Sequence, residues 1–103
     1  MESLDSSAVD EFLSSNRLTV ILAITEWCYP CKLLINQLDN IELNLELNVA
    51  CIDVDDNFDF ANKYNVIAVP ATLLFKEKRM IGKLYGGKTD MYLSDFLLSE
   101  LTR

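Results

Sequence analysis

Thr25-Glu26-Trp27-Cys28-Tyr29-Pro30-Cys31-Lys32 joins an apolar run to an amphipathic one. Before it, Leu18-Thr19-Val20-Ile21-Leu22-Ala23-Ile24 is rich in β-branched residues and apolar at consecutive positions. That pattern predicts a strand covered on both faces, as central parallel strands are. After it, Leu33, Leu34, Leu38 and Ile41 are spaced as the buried stripe of a helix. Both cysteines therefore stand where a strand feeds a helix. A thiol at that place meets unpaired backbone N–H groups and the positive end of the helix dipole, which favour the thiolate and lower its pKa. Two intervening residues let the second thiol reach the first within one turn. Cys28 can then attack a disulfide and Cys31 can resolve the mixed disulfide. Pro30 suits the first helical turn, where its missing N–H would be unpaired anyway.

Cys-x-x-Cys is also half of a zinc site, and closed zinc sites take four ligands, usually Cys or His. The chain has three cysteines in all and no histidine, so an intrachain zinc site lacks ligands. An iron–sulfur cluster shared between two chains, or a pair of ordinary core cysteines, are the other readings of the same spacing. An odd cysteine count argues against a structural disulfide framework. The absence of histidine also removes the usual general base and the Cys–His dyad.

At 103 residues the chain has room for a single domain over 1–103, and 50% hydrophobic with 24% charged residues is ordinary globular composition. A net charge of −7 repels phosphate backbones and anionic lipid, so neither nucleic acid nor membrane is an expected partner. Met1-Glu2-Ser3-Leu4-Asp5 is acidic with no apolar run behind it, unlike a signal peptide. The expectation is a cytoplasmic monomer in a reducing compartment, where a cysteine pair is catalytic or metal-binding more often than structural.

Working outward, Ser6 and Ser7 offer N-caps for a short helix with Val9, Phe12 and Leu13 inside, ended by Asn16-Arg17. Leu47 to Val54 reads as a second strand, and Asn57 to Tyr64 as a short helix or irregular turn. Thr72-Leu73-Leu74-Phe75 and Met80 to Tyr85 read as two strands across a tight turn at Glu77-Lys78. Thr89 can cap a last helix that buries Leu93, Phe96, Leu97 and Leu101. Alternating elements followed by a hairpin predict an α/β fold: a mixed four- or five-stranded sheet with helices on both faces, Met1 to Leu4 being a candidate edge strand.

Trp27-Cys28-Tyr29-Pro30-Cys31-Lys32 resembles the thioredoxin active-site segment, which usually reads W-C-G-P-C-K. Ile52-Asp53-Val54-Asp55 resembles the family's second parallel strand, Val69-Pro70-Ala71-Thr72 its cis-proline loop, and Gly86 the glycine before its last helix. The resemblance covers nearly the whole chain and implies a thioredoxin fold. It implies that Cys28 is the exposed nucleophile and Cys31 the resolving thiol. Pro70 would be cis and present the backbone of Val69 to a partner polypeptide. Trp27 would cover the dithiol with its indole N–H on Asp55. Lys32 would favour the thiolate slightly, and Tyr29, in place of the usual glycine, would enlarge the rim and select partners.

Two departures bear on mechanism. Thioredoxins usually bury an aspartate six positions before the first cysteine, and here Leu22 stands there, with Ala23 in place of the usual aromatic. Cys51 stands where the neighbouring strand often carries a charged partner, and reads as a small buried hydrophobe rather than a third redox centre.

The function implied is a small protein-disulfide reductase. It would be fed by a thioredoxin-reductase-like flavoprotein and would hold no bound cofactor beyond its own redox-active disulfide. Two alternatives stand beside it. Gly86-Gly87-Lys88-Thr89-Asp90 resembles the glutathione-holding G-G-x-x-D element of glutaredoxins, although the Pro70-to-Gly86 spacing and the place of Pro30 fit thioredoxins better. A non-enzymatic thioredoxin-fold adaptor, binding at Val69-Pro70 or bridging two chains through a metal, would have no use for an intact dithiol.

Overall fold

Alternation along β2 (Thr19–Ile24) organises the molecule, which is a computed structural model describing residues 1–102, with side chains for all of these but 43 and 44. Successive strand side chains point to opposite faces. Leu18, Val20 and Leu22 therefore join one core, with Leu34 and Leu38 of α2 (Tyr29–Asn44) and Leu93 and Leu97 of α4 (Asp90–Leu101). Ile21 and Ala23 join the other, with Val9 of α1 (Val9–Phe12), Leu13, and Phe60 of α3 (Phe58–Lys63). Helices thus cover both faces. Each fully buried leucine contributes about 1.5–3 kcal/mol relative to an exposed one.

The sheet has five strands in the order β1-β3-β2-β4-β5. These are β1 (Glu2–Leu4), β3 (Asn48–Asp53), β2, β4 (Ala71–Lys76) and β5 (Arg79–Tyr85). The candidate edge strand at the N-terminus forms and runs parallel to β3, which is itself parallel to β2. β4 is antiparallel to both β2 and β5. The β4–β5 turn falls at Glu77 and Lys78, whose φ of 53° and 68° are left-handed without glycine. This is the backbone that a two-residue hairpin needs to match strand twist.

Four expectations need correction. The first cap is Asp5, not Ser6 or Ser7: its carboxylate accepts from the Ala8 N–H at 3.1 Å, ahead of a 3₁₀ turn over Ser6–Ala8. Ser6 instead hydrogen-bonds Asn57 and Asp59 across the structure. The helix that follows stops at Phe12, before Asn16-Arg17. Leu33 is 53% exposed, because it lies about 100° around α2 from the buried line of Leu34, Leu38 and Ile41. Leu101 is also exposed, since the buried line of α4 ends at Leu97.

Candidate active site

Cys28 is the N-cap of α2, with extended backbone (φ −87°, ψ 103°), and its N–H donates to the Thr25 carbonyl at 3.3 Å. Cys31 is bonded to it, with Cα atoms 5.3 Å apart, inside the usual disulfide range. Cys28 thus stands at the N-terminal end of a 16-residue helix, where the first-turn N–H groups have no partner within the helix. Cys28 is the more exposed cysteine, but at 5% against 1% neither is open. The expected exposed nucleophile is instead set between two projecting aromatics, Trp27 and Tyr29, at 75% and 70%.

Each neighbour is held from a different element. The Trp27 indole N–H donates to Asp55 at 3.1 Å, as the sequence suggests. The Val69–Pro70 bond is cis, Pro70 is buried and Val69 half-buried. The Pro70 carbonyl accepts from Gly86 at 2.9 Å, and Gly86 has φ 81°, a conformation open to glycine at little cost. Lys32, on the first turn of α2, is exposed.

The residues of the glutathione-like segment are engaged in holding the fold. The Gln37 amide donates to the Lys88 carbonyl at 2.8 Å and to the Asp90 carboxylate at 2.7 Å. The Thr89 hydroxyl caps α4 by accepting from Tyr92. Gln37 was not singled out by sequence; its place on α2, a turn beyond the cysteines, ties the site helix to α4.

The strands behind the dithiol are apolar at the departure position. Leu22 is fully buried and pairs in register with Cys51 on one side and Thr72 on the other. Burial pushes the Cys51 thiol above its ordinary value of 9.0, outweighing a hydrogen bond from Ser3 and the nearby N-terminal ammonium. A raised pKa in the folded chain means stability that is full below the unfolded value and is lost as pH rises through the folded one. Unfolding free energy is therefore expected to fall above about pH 9 in wild type. In Cys51→Ala this part of the alkaline loss should vanish, as urea titrations across pH 7–11 will show. In native protein below that range, iodoacetamide should leave Cys51 unlabelled.

Thr25 and Thr72 each bury a hydroxyl oxygen with no partner among the described residues. A buried unsatisfied polar group costs about 1–3 kcal/mol. Thr72→Val keeps the shape and removes the hydroxyl, so a gain of about 1 kcal/mol is expected. That corresponds to a rise in Tm of about 4–8 °C in a domain of this size. A melting curve that is unchanged or lower would mean the hydroxyl is satisfied.

The family profile described as Thioredoxin matches residues 1–99. This chain belongs to the thioredoxin family. It is 37% identical to the thioredoxin of Buchnera aphidicola subsp. Baizongia pistaciae (strain Bp) over 87 residues, 82% of this chain and 80% of that protein. It is 32% identical to the bifunctional thioredoxin reductase/thioredoxin of Mycobacterium leprae (strain TN), over 85% of this chain and 20% of that one. The solved structure of a mutant thioredoxin from Halobacterium salinarum superposes with a TM-score of 0.89 at 26% identity, covering 95% of this chain and 88% of that one. With the bonded Cys28–Cys31 pair, the family makes the chain a thiol–disulfide oxidoreductase with a Cys-x-x-Cys site and an α/β thioredoxin fold.

Proposed function

We propose that this thioredoxin-family protein reduces disulfides in other proteins, with Cys28 as nucleophile and Cys31 as resolving thiol. The observation that carries the assignment is the Cys28–Cys31 bond at the N-terminus of α2, in a chain whose Val69–Pro70 bond is cis. In the reduced protein the Cys28 thiolate attacks one sulfur of the substrate disulfide. A Cys28–substrate bond forms and the other substrate sulfur leaves as thiolate. Cys31 then gives up its proton and attacks Cys28, releasing the second substrate thiolate. Two electrons pass to the substrate, which ends as a dithiol, and the protein ends with the Cys28–Cys31 disulfide.

The supporting roles follow from placement. Trp27, anchored on Asp55, and Tyr29 form the rim of the nucleophile. Pro30 starts α2, leaving Lys32 as a solvated charge near its first turn. Val69 offers its backbone edge to the substrate, next to Pro70. The disulfide is returned to the dithiol by a thioredoxin-reductase-like flavoprotein, a reading supported by the fusion of the two activities in the Mycobacterium leprae relative's name. No bound cofactor takes part, and the protein acts as a monomer in a reducing compartment such as the cytoplasm. Among the described residues no helix is long and apolar enough to cross a membrane.

The glutathione reading is disfavoured because Asp90 and the Lys88 carbonyl are already bonded to Gln37. Insulin reduction tests the function: turnover is expected with dithiothreitol as electron source and little with glutathione. No turnover with either reductant would leave only the adaptor reading.

A further inference from the structure

The cations of this acidic chain are unevenly placed. Of nine Lys and Arg in all, five fall between positions 76 and 88, a stretch whose one acid is Glu77. Two of the five are engaged. Lys83 donates to the Tyr64 and Asn65 carbonyls at 3.2 and 2.8 Å, and Lys88 lies over the Tyr92 ring, 5.3 Å from its centroid. The other three, Lys76, Lys78 and Arg79, stand exposed around the β4–β5 turn. Among the described residues no ion pair reaches any of them. Lys76 and Arg79 face each other directly in the ladder. Like charges opposite one another destabilise a strand pair, so folding does not account for this arrangement.

The same turn begins an open edge. β5 is last in the strand order and pairs on one side only, with β4. The N–H and C=O groups of its outer side are a template for a further strand. At the turn end of that edge Met80 and Ile81 are 38% and 40% exposed. The edge also lies away from the dithiol. Thr19 pairs with Phe75 near the turn, whereas Ile24 ends β2 on the side of Cys28, about 17 Å further along the strand.

We infer that the outer edge of β5 is a docking site for an acidic extended segment of a partner protein, which adds as a strand while its carboxylates meet Lys76, Lys78 and Arg79. Charge commits the occupant. A second copy pairing β5 to β5 would bring two such cation clusters together, and edge cations are how sheets turn such pairing away. A broad anionic surface would meet the acidic remainder of a chain whose net charge is −7. A narrow acidic segment meets the cations alone, with backbone pairing for affinity and side chains for selection. This surface is separate from the thiol chemistry and leaves Cys28 and Cys31 free while it is occupied.

The test uses the oxidised full chain and three short fluorescein-labelled peptides. One alternates Glu and Val, one alternates Lys and Val, and one is the Glu–Val peptide with prolines at alternate valines, which keeps the charge and cannot complete a ladder. The Glu–Val peptide is expected to bind at least about tenfold more tightly than the other two, and less tightly as salt is added. Its amide ¹⁵N shifts in the protein should fall along 79–85 and not at 27–31. Arg79→Glu separates docking from folding. It sets opposite charges across the ladder, so Tm should equal or exceed that of wild type while affinity for the Glu–Val peptide drops about tenfold. Unchanged affinity in that variant, equal binding of the proline peptide, or shifts centred on 27–31 overturns the docking edge. A lowered Tm would show that the Lys76–Arg79 pair serves the fold, and would overturn it as well. So would a concentration-dependent dimer in sedimentation that Arg79→Glu abolishes, which assigns the edge to a second copy. Binding to phosphatidylserine vesicles without binding to the Glu–Val peptide would assign the cations to a lipid surface instead.

Discussion

Cys28→Ser is expected to abolish protein-disulfide reduction, whereas Cys31→Ser should still attack but remain joined to its substrate. The asymmetry comes from position. Cys28 is the N-cap of α2 and the more accessible sulfur, so it is the one a substrate sulfur can approach along the Trp27 and Tyr29 rim. Cys31 lies inside the first turn at 1% exposure, and it reaches Cys28 but not solvent. A serine hydroxyl at position 31 does not displace a thiolate from a mixed disulfide, so the intermediate accumulates. Incubating each reduced variant with a disulfide-bonded protein and running a non-reducing gel separates the outcomes. A stable adduct through Cys28 in Cys31→Ser, and none in Cys28→Ser, is the expected pattern. An adduct that forms through Cys31 instead would reverse the assignment.

The sequence carried the framework because its signals are local. The run from Leu18 to Ile24 is apolar on both faces and becomes β2, a central strand parallel to β3 on one side. The cysteine pair follows on the first turn of α2, and Thr89 caps α4 as its side-chain chemistry predicts. What sequence did not carry depends on which way a side chain turns within an element already recognised. Leu33 and Leu34 are chemically identical, and only helix rotation against the sheet decides that one is buried and the other exposed. Phe58 and Phe60 pose the same problem in α3: Phe60 packs with Tyr64, their rings 5.0 Å apart, while Phe58 is 69% exposed. Trp27, Asp55 and Val69 are legible from the resemblance, whereas the concavity they share with Phe58 and Ile67 joins the loop after β2, the loop after β3, α3 and the loop before Pro70, segments far apart in sequence.

The second large effect concerns Leu22, for which Leu22→Asp is expected to lower stability and to speed the resolving step. Leu22 is fully buried between Cys51 and Thr72, and neither offers a positive charge. An ionised carboxylate left unpaired at such a place costs about 3–5 kcal/mol. Burial will raise the pKa of the new acid, so the sign of the pH dependence is fixed: the variant keeps most stability while the acid is neutral, and loses it as pH rises through the raised folded value. Urea unfolding at pH 5 and pH 8 should therefore show the smaller deficit at pH 5. The kinetic effect runs the other way. Cys31 must lose a proton while shielded from water, and the chain has no histidine to take it. Cys51, with its pKa raised, is a poor acceptor at neutral pH. A carboxylate at position 22, whose pKa lies nearer 7 than an exposed acid's, is a suitable base directly or through one water. Stopped-flow decay of the mixed disulfide near pH 7 should then be faster in Leu22→Asp than in wild type, with a lower apparent pKa for the step. Lost stability without any gain in that rate would show that Cys31 hands its proton to water or to a departing substrate thiolate, and that the apolar pair Leu22–Cys51 serves folding without limiting turnover.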